Sequence, residues 1–127
     1  RLVPRCRPAR TACLVHSDLY SRHIIVECNS QSADTDCAQT TMTGVIDWGD
    51  VHAGDPAADL ACAWSLFDNS GRQRLLESYG NVPAETLTLA RVRALAHSSI
   101  CAVYGRQGNL PMLEQAAKHA LHWLLDD

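Results

Sequence analysis

The strongest constraint on the fold is a pair of short apolar runs, each tied to an acidic residue. Residues 14–26 read Leu-Val-His-Ser-Asp-Leu-Tyr-Ser-Arg-His-Ile-Ile-Val, and residues 44–50 read Gly-Val-Ile-Asp-Trp-Gly-Asp. In the first run Asp18 stands two residues after His16, and His23 follows five residues later, directly before the β-branched stretch Ile24-Ile25-Val26. In the second, Gly44-Val45-Ile46 reads as a strand that delivers Asp47 at its end. Strands over 13–15 and 23–28 flanking a polar loop are the expectation from this spacing.

The chemistry follows from the residue types. His-x-Asp followed by a metal-binding side chain five positions on is the layout of a kinase catalytic loop, with His23 in the place usually held by Asn. A carboxylate at a strand end, such as Asp47, can reach a Mg²⁺ ion bridging nucleotide phosphates. A third block, Asp55-Pro-Ala-Ala-Asp-Leu-Ala61, follows in order. Together the three blocks resemble the aminoglycoside phosphotransferase family of small-molecule kinases, whose motifs read His-Gly-Asp-Leu-His-x-x-Asn, Ile-Asp-Trp and Asp-Pro-x-x-Asp-Leu-Ala. Three ordered blocks are far more specific than one. Ser17 departs from the usual Gly and His23 from the usual Asn. The macrolide kinases of the same superfamily also carry His there, and imidazole favours Mn²⁺ over Mg²⁺ more than an oxygen ligand does.

The resemblance implies a role for each residue. Asp18 is the catalytic carboxylate that accepts or orients the substrate hydroxyl proton. His23 and Asp47 hold the metal, with ATP as phosphoryl donor. His16 braces the loop, and Asp59 bonds back to it from the first turn of a helix, where an acid is favourable on its own account. Asp50 and Asp55 are candidates for supporting or substrate contacts, although a solvated loop accounts better for Asp50 and His52. Trp48 is expected to pack beneath its strand.

Beyond residue 55 the periodicity is helical. Pro56 opens a helix through Leu66-Phe67 that Asp68-Asn-Ser-Gly71 stops, and a second covers Arg72 to Tyr79 and ends at Gly80. A third runs from Pro83 to Gly105 with Leu87, Val92, Leu95, Ala96, Ile100 and Val103 as its apolar face, and a fourth spans Pro111 to Leu125. Strands first, then about four helices, gives an α+β fold, the arrangement of the C-terminal lobe of a kinase-like protein. Residues 29–41 are polar and without period, a long hairpin tip.

At 127 residues with 46% apolar composition, the chain can bury a core of its own. It carries no Gly-rich phosphate loop and no Val-Ala-x-Lys strand, and Lys118 is its only lysine. A nucleotide-binding lobe is therefore expected in a longer parent, or else the chain is a truncated non-catalytic remnant or binding module. A third reading is a metal-dependent hydrolase using His16, Asp18, His23 and Asp47 around a metal-bound water.

A net charge of −3 argues against nucleic-acid or anionic-membrane partners. The basic cluster Arg1, Arg5, Arg7 and Arg10 reads as a solvated lead-in. No apolar run approaches the roughly eighteen residues of a membrane span, so a cytoplasmic location is expected. Six cysteines without a Cys-x-x-Cys pair give no zinc or thioredoxin spacing, and free thiols are expected. Cys28 and Cys37 are the pair a hairpin would bring together in an oxidising compartment. The partners expected are a nucleotide and a small-molecule acceptor, with self-association through any face a missing lobe would cover.

Overall fold

Short strands placed on either side of polar loops leave room for only two-stranded sheets, and two such sheets form. The computed structural model of the chain describes residues 12–28 and 40–125. Strand β1 (Cys13–Val15) pairs antiparallel with β4 (His52–Gly54), Val15 opposite His52. Strand β2 (Ile24–Cys28) pairs antiparallel with β3 (Thr40–Val45), Ile24 opposite Val45, with a register shift between Ile25 and Val26. Most of the polar segment 29–41, and with it Cys37, lies outside the described residues, as do Arg1, Arg5, Arg7 and Arg10. His23 belongs to a 3₁₀ turn, Ser21–His23, rather than to the strand. His52, expected in a solvated loop, lies in β4, because its backbone completes the pairing with β1.

Five helices follow among the described residues: α1 (Ala57–Leu60), α2 (Cys62–Ser65), α3 (Asn69–Tyr79), α4 (Ala84–Gln107) and α5 (Pro111–Leu125). The single helix expected from Pro56 to Phe67 is thus two one-turn pieces. Ala61 keeps helical angles, but the Trp64 amide bonds the Ala61 carbonyl three residues back at 3.1 Å, a tightened 3₁₀-type turn at the seam.

Two punctuation signals read as stops turn out otherwise. Asp68-Asn-Ser-Gly71 starts α3: the Asp68 carboxylate accepts the Gly71 amide at 2.8 Å, satisfying an N–H that the helix itself cannot. Gly105 lies inside α4, and a side chain there would meet the Glu114 backbone nitrogen at 2.7 Å, so its bareness is what lets α5 approach. The end of α3 at Gly80, with φ 104°, matches the expectation.

The buried stripe of α4 is Thr86, Ala90, Ala94, Ser98 and Gly105, spaced by whole turns. The apolar face expected for it is only partly turned inward: Leu87 packs against the core, while Leu95, Ile100 and Val103 are exposed. Small residues win the core position because α4 is wedged against α1 and α5, and close axes leave no space for larger side chains. Ala57, Leu60, Ala63, Trp64, Ala90, Ala94 and Leu124 form the core cluster. The fold is α+β, with the helices forming a base on which the loop after β1 and the end of β3 are held.

Candidate active site

The loop after β1 is pinned by a carboxylate from below. Asp59, in α1, accepts the His16 amide at 2.7 Å through one oxygen and the Ser17 amide at 2.8 Å through the other. These bonds hold Ser17 in a left-handed conformation, φ 73°, which accounts physically for the Gly usual at that place in the resembling motif. His16 is buried and locks the loop to β3: its Nε2 faces the Ile46 carbonyl at 2.8 Å. A carbonyl can only accept, so Nε2 carries the proton, leaving Nδ1 to accept the Asp18 amide at 3.3 Å. Both imidazole nitrogens are thereby used, and His16 has none left for a metal.

The same argument fixes His23. Its Nδ1 donates to the Asp18 backbone carbonyl at 2.8 Å, so Nε2 is directed elsewhere, toward Asp47 Oδ2 at 3.4 Å. Strand pairing makes the encounter: the Ile46 amide donates to the His23 carbonyl at 2.9 Å, which sets His23 beside the residue after Ile46. Asp47 itself is in the left-handed region, φ 62°, a conformation Asp tolerates, so its carboxylate turns out of the strand. Asp18 Oδ2 is 3.6 Å from His23 Nδ1. Asp18 and Asp47 therefore face His23 at its two different ring nitrogens.

His23 Nε2 and Asp47 Oδ2 suit a divalent ion. Two ligands on adjacent corners of one octahedral ion stand about 3 Å apart, near the separation seen, and a His oriented by a carbonyl on its other nitrogen is the usual arrangement of a ligating imidazole. Among the described residues no group of three or more His, Cys, Asp or Glu converges on one point as a metal cage. The pair fits an ion that takes its remaining ligands from phosphate and water.

Asp18 has a second neighbour that the sequence did not flag. His97, from α4, places Nε2 at 3.9 Å from Asp18 Oδ1. Tyr20 sets its ring edgewise against both His23 and His97, with centroids 4.5 Å and 5.1 Å apart, and so separates the two imidazoles. Burial pushes the Tyr20 phenol above its ordinary range, with Asp18 and Asp47 adding to the effect and Arg22 opposing it, so it stays protonated. Cys101, one turn past His97, is raised by burial and then by Asp18. Nothing in the sequence ties residue 97 to residue 18 except its place on α4 one turn from Arg93. Beside Asp18 a cleft of about 250 Å³ opens between this loop, α1 and α4, lined in part by Leu19, Ala61, Arg93, Ala96, His97 and Ile100.

Other candidates are placed elsewhere. Asp55 accepts the Ala57 amide at 2.9 Å and so caps the start of α1. Asp50 is exposed in the turn Trp48–Asp50, and its carbonyl faces His52 Nδ1 at 2.8 Å. Trp48 is not beneath the strand: half exposed, it lies against the His16 ring at 4.7 Å and donates from Nε1 to the Val45 carbonyl at 2.9 Å.

The sequence profile of the phosphotransferase enzyme family matches residues 1–95, most of the chain. The chain belongs to the phosphotransferase enzyme family. It is also 32% identical over 66 residues to "Uncharacterized protein YcbJ" of Bacillus subtilis (strain 168), a match that covers 52% of this chain and 18% of that protein. The chain thus corresponds to a small part of that relative's length. No solved structure matches it. Among the described residues no helix is long and apolar enough to cross a membrane.

Proposed function

We propose that the chain is the C-terminal catalytic and substrate-binding lobe of a kinase that transfers the γ-phosphoryl group of ATP to a hydroxyl of a small molecule, such as an antibiotic, a sugar or an amino alcohol. The observation that supports this reading is the placement of Asp18 and Asp47 at the two ring nitrogens of His23, with Nε2 turned to within 3.4 Å of Asp47. The family contributes the reaction class, phosphoryl transfer. Donor, acceptor, lobe assignment and a cytoplasmic site of action are the proposal's own.

In the mechanism Asp18 receives the acceptor hydroxyl. Its carboxylate is partly open, and its two oxygens face different sides, Oδ2 toward His23 and Oδ1 toward His97 and the cleft. A hydroxyl donating to Asp18 is aligned for attack, and its proton passes to the carboxylate as the new P–O bond forms. His23 Nε2 and Asp47 would hold Mg²⁺ or Mn²⁺, which when bound neutralises charge on the donor phosphates. Asp59 and His16 fix the loop so that Asp18 needs no reordering before transfer. The exposed side chains Ile25, Val26, Met42 and Ile46 on and beside the β2–β3 sheet are the face on which a nucleotide lobe would rest.

The test is titration of the chain with ATP and Mg²⁺ or Mn²⁺, read by the fluorescence of Trp48, which neighbours the proposed ligand Asp47. Saturable, metal-dependent change that Asp47→Ala abolishes is expected. No response at millimolar nucleotide would remove the nucleotide site from this chain.

A further inference from the structure

The stripe of α4 that faces Asp18 carries Arg93, Ala96, His97 and Ile100, spaced i, i+3, i+4 and i+7, so all four share one face of the helix and all four line the cleft. Charge in this cleft is asymmetric. Among the described residues Asp18 is the only acid that lines it, and Arg93 supplies a permanent positive charge that makes no ion pair with any of them. Other acids lie elsewhere: Asp50 is exposed at its turn, Asp68 caps α3, and Glu114 pairs with Lys118 at 2.7 Å. Apart from the hydroxyls of Ser17 and Ser65 and the His97 ring, the remaining walls, Leu19, Ala58, Ala61, Ala94, Ala96 and Ile100, are apolar.

Spacing sets the size of what fits. His97 touches the Asp18 side of the cleft, and Arg93 lies one turn earlier, about 6 Å along the helix axis. An acceptor with its hydroxyl at Asp18 and an anionic end at Arg93 spans a few bonds, and its methylenes lie against Leu19, Ala61 and Ile100. A guanidinium binds a carboxylate through paired N–H groups, and one fixed positive charge matches one negative charge rather than the two of a phosphate monoester. We propose that the acceptor is a short aliphatic alcohol bearing a carboxylate, a hydroxy acid, and that Arg93 is the residue that selects it over polycationic amino sugars. The proposal rests on the phosphotransfer reading for the place of the hydroxyl. The selectivity belongs to Arg93 and can be read without nucleotide.

Three matched probes test it: 4-hydroxybutyrate, 4-amino-1-butanol and 1,4-butanediol, titrated into the 127-residue chain and followed by amide shifts in ¹H–¹⁵N NMR spectra. The hydroxy acid is expected to saturate shifts at Leu19, Ala61 and Ala96 with affinity about tenfold above the neutral diol, the size of one charge-assisted contact. Arg93→Gln removes that advantage with the spectrum otherwise intact, and Arg93→Glu reverses it in favour of the amino alcohol. Tighter binding of the amino alcohol to the wild type, an unchanged preference in Arg93→Gln, or no saturable shift from any probe would each overturn the proposal. Asp47-dependent ATP binding without carboxylate preference would sink this inference alone. Carboxylate preference without nucleotide binding would leave the pocket and sink the phosphotransfer reading.

Discussion

Asp59→Ala isolates the carboxylate that shapes the loop after β1. Two amides depend on it, His16 at 2.7 Å and Ser17 at 2.8 Å. A hydrogen bond to a charged acceptor contributes ~1.5–3 kcal/mol, and a buried donor left without a partner loses the whole of it. His16 is 3% exposed, so its amide finds no water after the substitution. Ser17 is only half-buried, so water replaces part of what its amide loses. The sum is about 2–4 kcal/mol, a large share of the ~5–15 kcal/mol that holds a domain together. At this chain length each kcal/mol corresponds to about 3–4 °C, so Tm should fall by roughly 7–14 °C. Thermal unfolding followed by circular dichroism at the helix band reads this directly, because the helical base melts with the loop if the chain unfolds as one unit. Asp59→Asn should fall between wild type and Asp59→Ala, since one amide oxygen can still accept while the NH₂ opposes the second amide. A Tm within about 2 °C of wild type for Asp59→Ala would refute the reasoning, because a shift that small equals less than one hydrogen bond.

Ser17→Gly should raise stability by up to about 1 kcal/mol: the left-handed φ of 73° costs an L-residue ~1–2 kcal/mol, and the added freedom of Gly in the unfolded chain returns part of that. Thermal unfolding decides it, and a destabilised variant would mean that the Ser17 side chain contributes more than its strain costs. Gly105→Ala should destabilise by about 1–3 kcal/mol despite the better helix propensity of Ala, because the new methyl falls 2.7 Å from the Glu114 nitrogen. The sign settles the matter in the same assay, since propensity alone predicts stabilisation. The Gly71 amide, then the Ser70 hydroxyl, hold the Asp68 carboxyl below its ordinary range, so its contribution is complete above the unfolded-state value and is lost as pH falls through the folded one. Asp68→Asn, which caps without titrating, should therefore lose less Tm than wild type between neutral pH and about pH 3. Equal acid sensitivity of the two proteins would rule out that linkage.

The three acidic blocks were legible because their chemistry is local: His16 to Asp18, Asp18 to His23 and the strand into Asp47 are each a matter of a few residues. The helices were legible in order for the same reason, since periodicity is a local signal, but the break at Ala61 that makes the first of them two was not. What stayed hidden was the outcome of packing. Leu95, Ile100 and Val103 satisfy a helical period, yet the stripe of Thr86, Ala90, Ala94 and Ser98 is the one turned inward, because the distance between helix axes rewards small side chains and no single-helix pattern contains that distance. Gly105 and Asp68 were misread by the same route. A glycine signals equally a stop and a close approach, and an acid before Gly is equally a loop and a cap. His97 enters only when α4 is laid across the loop after β1.

The carboxylates near the site divide by what already occupies their oxygens. Both oxygens of Asp59 are taken by backbone amides, and one of Asp55 serves the start of α1, so these groups are committed to structure. Asp18 and Asp47 differ. The imidazole nitrogens nearest them stand at 3.6 Å and 3.9 Å from Asp18 and at 3.4 Å from Asp47, longer than a well-formed hydrogen bond, and both side chains are open to solvent. Their lone pairs are therefore available to an incoming hydroxyl or cation without first breaking a native bond. The resembling motif gave Asp18 the chemical role and Asp59 the supporting one of bonding back to the loop. Saturation of its oxygens by the chain's own amides removes it from chemistry and assigns it the loop, which leaves Asp18 as the carboxylate that faces both the His23–Asp47 pair and the cleft on α4.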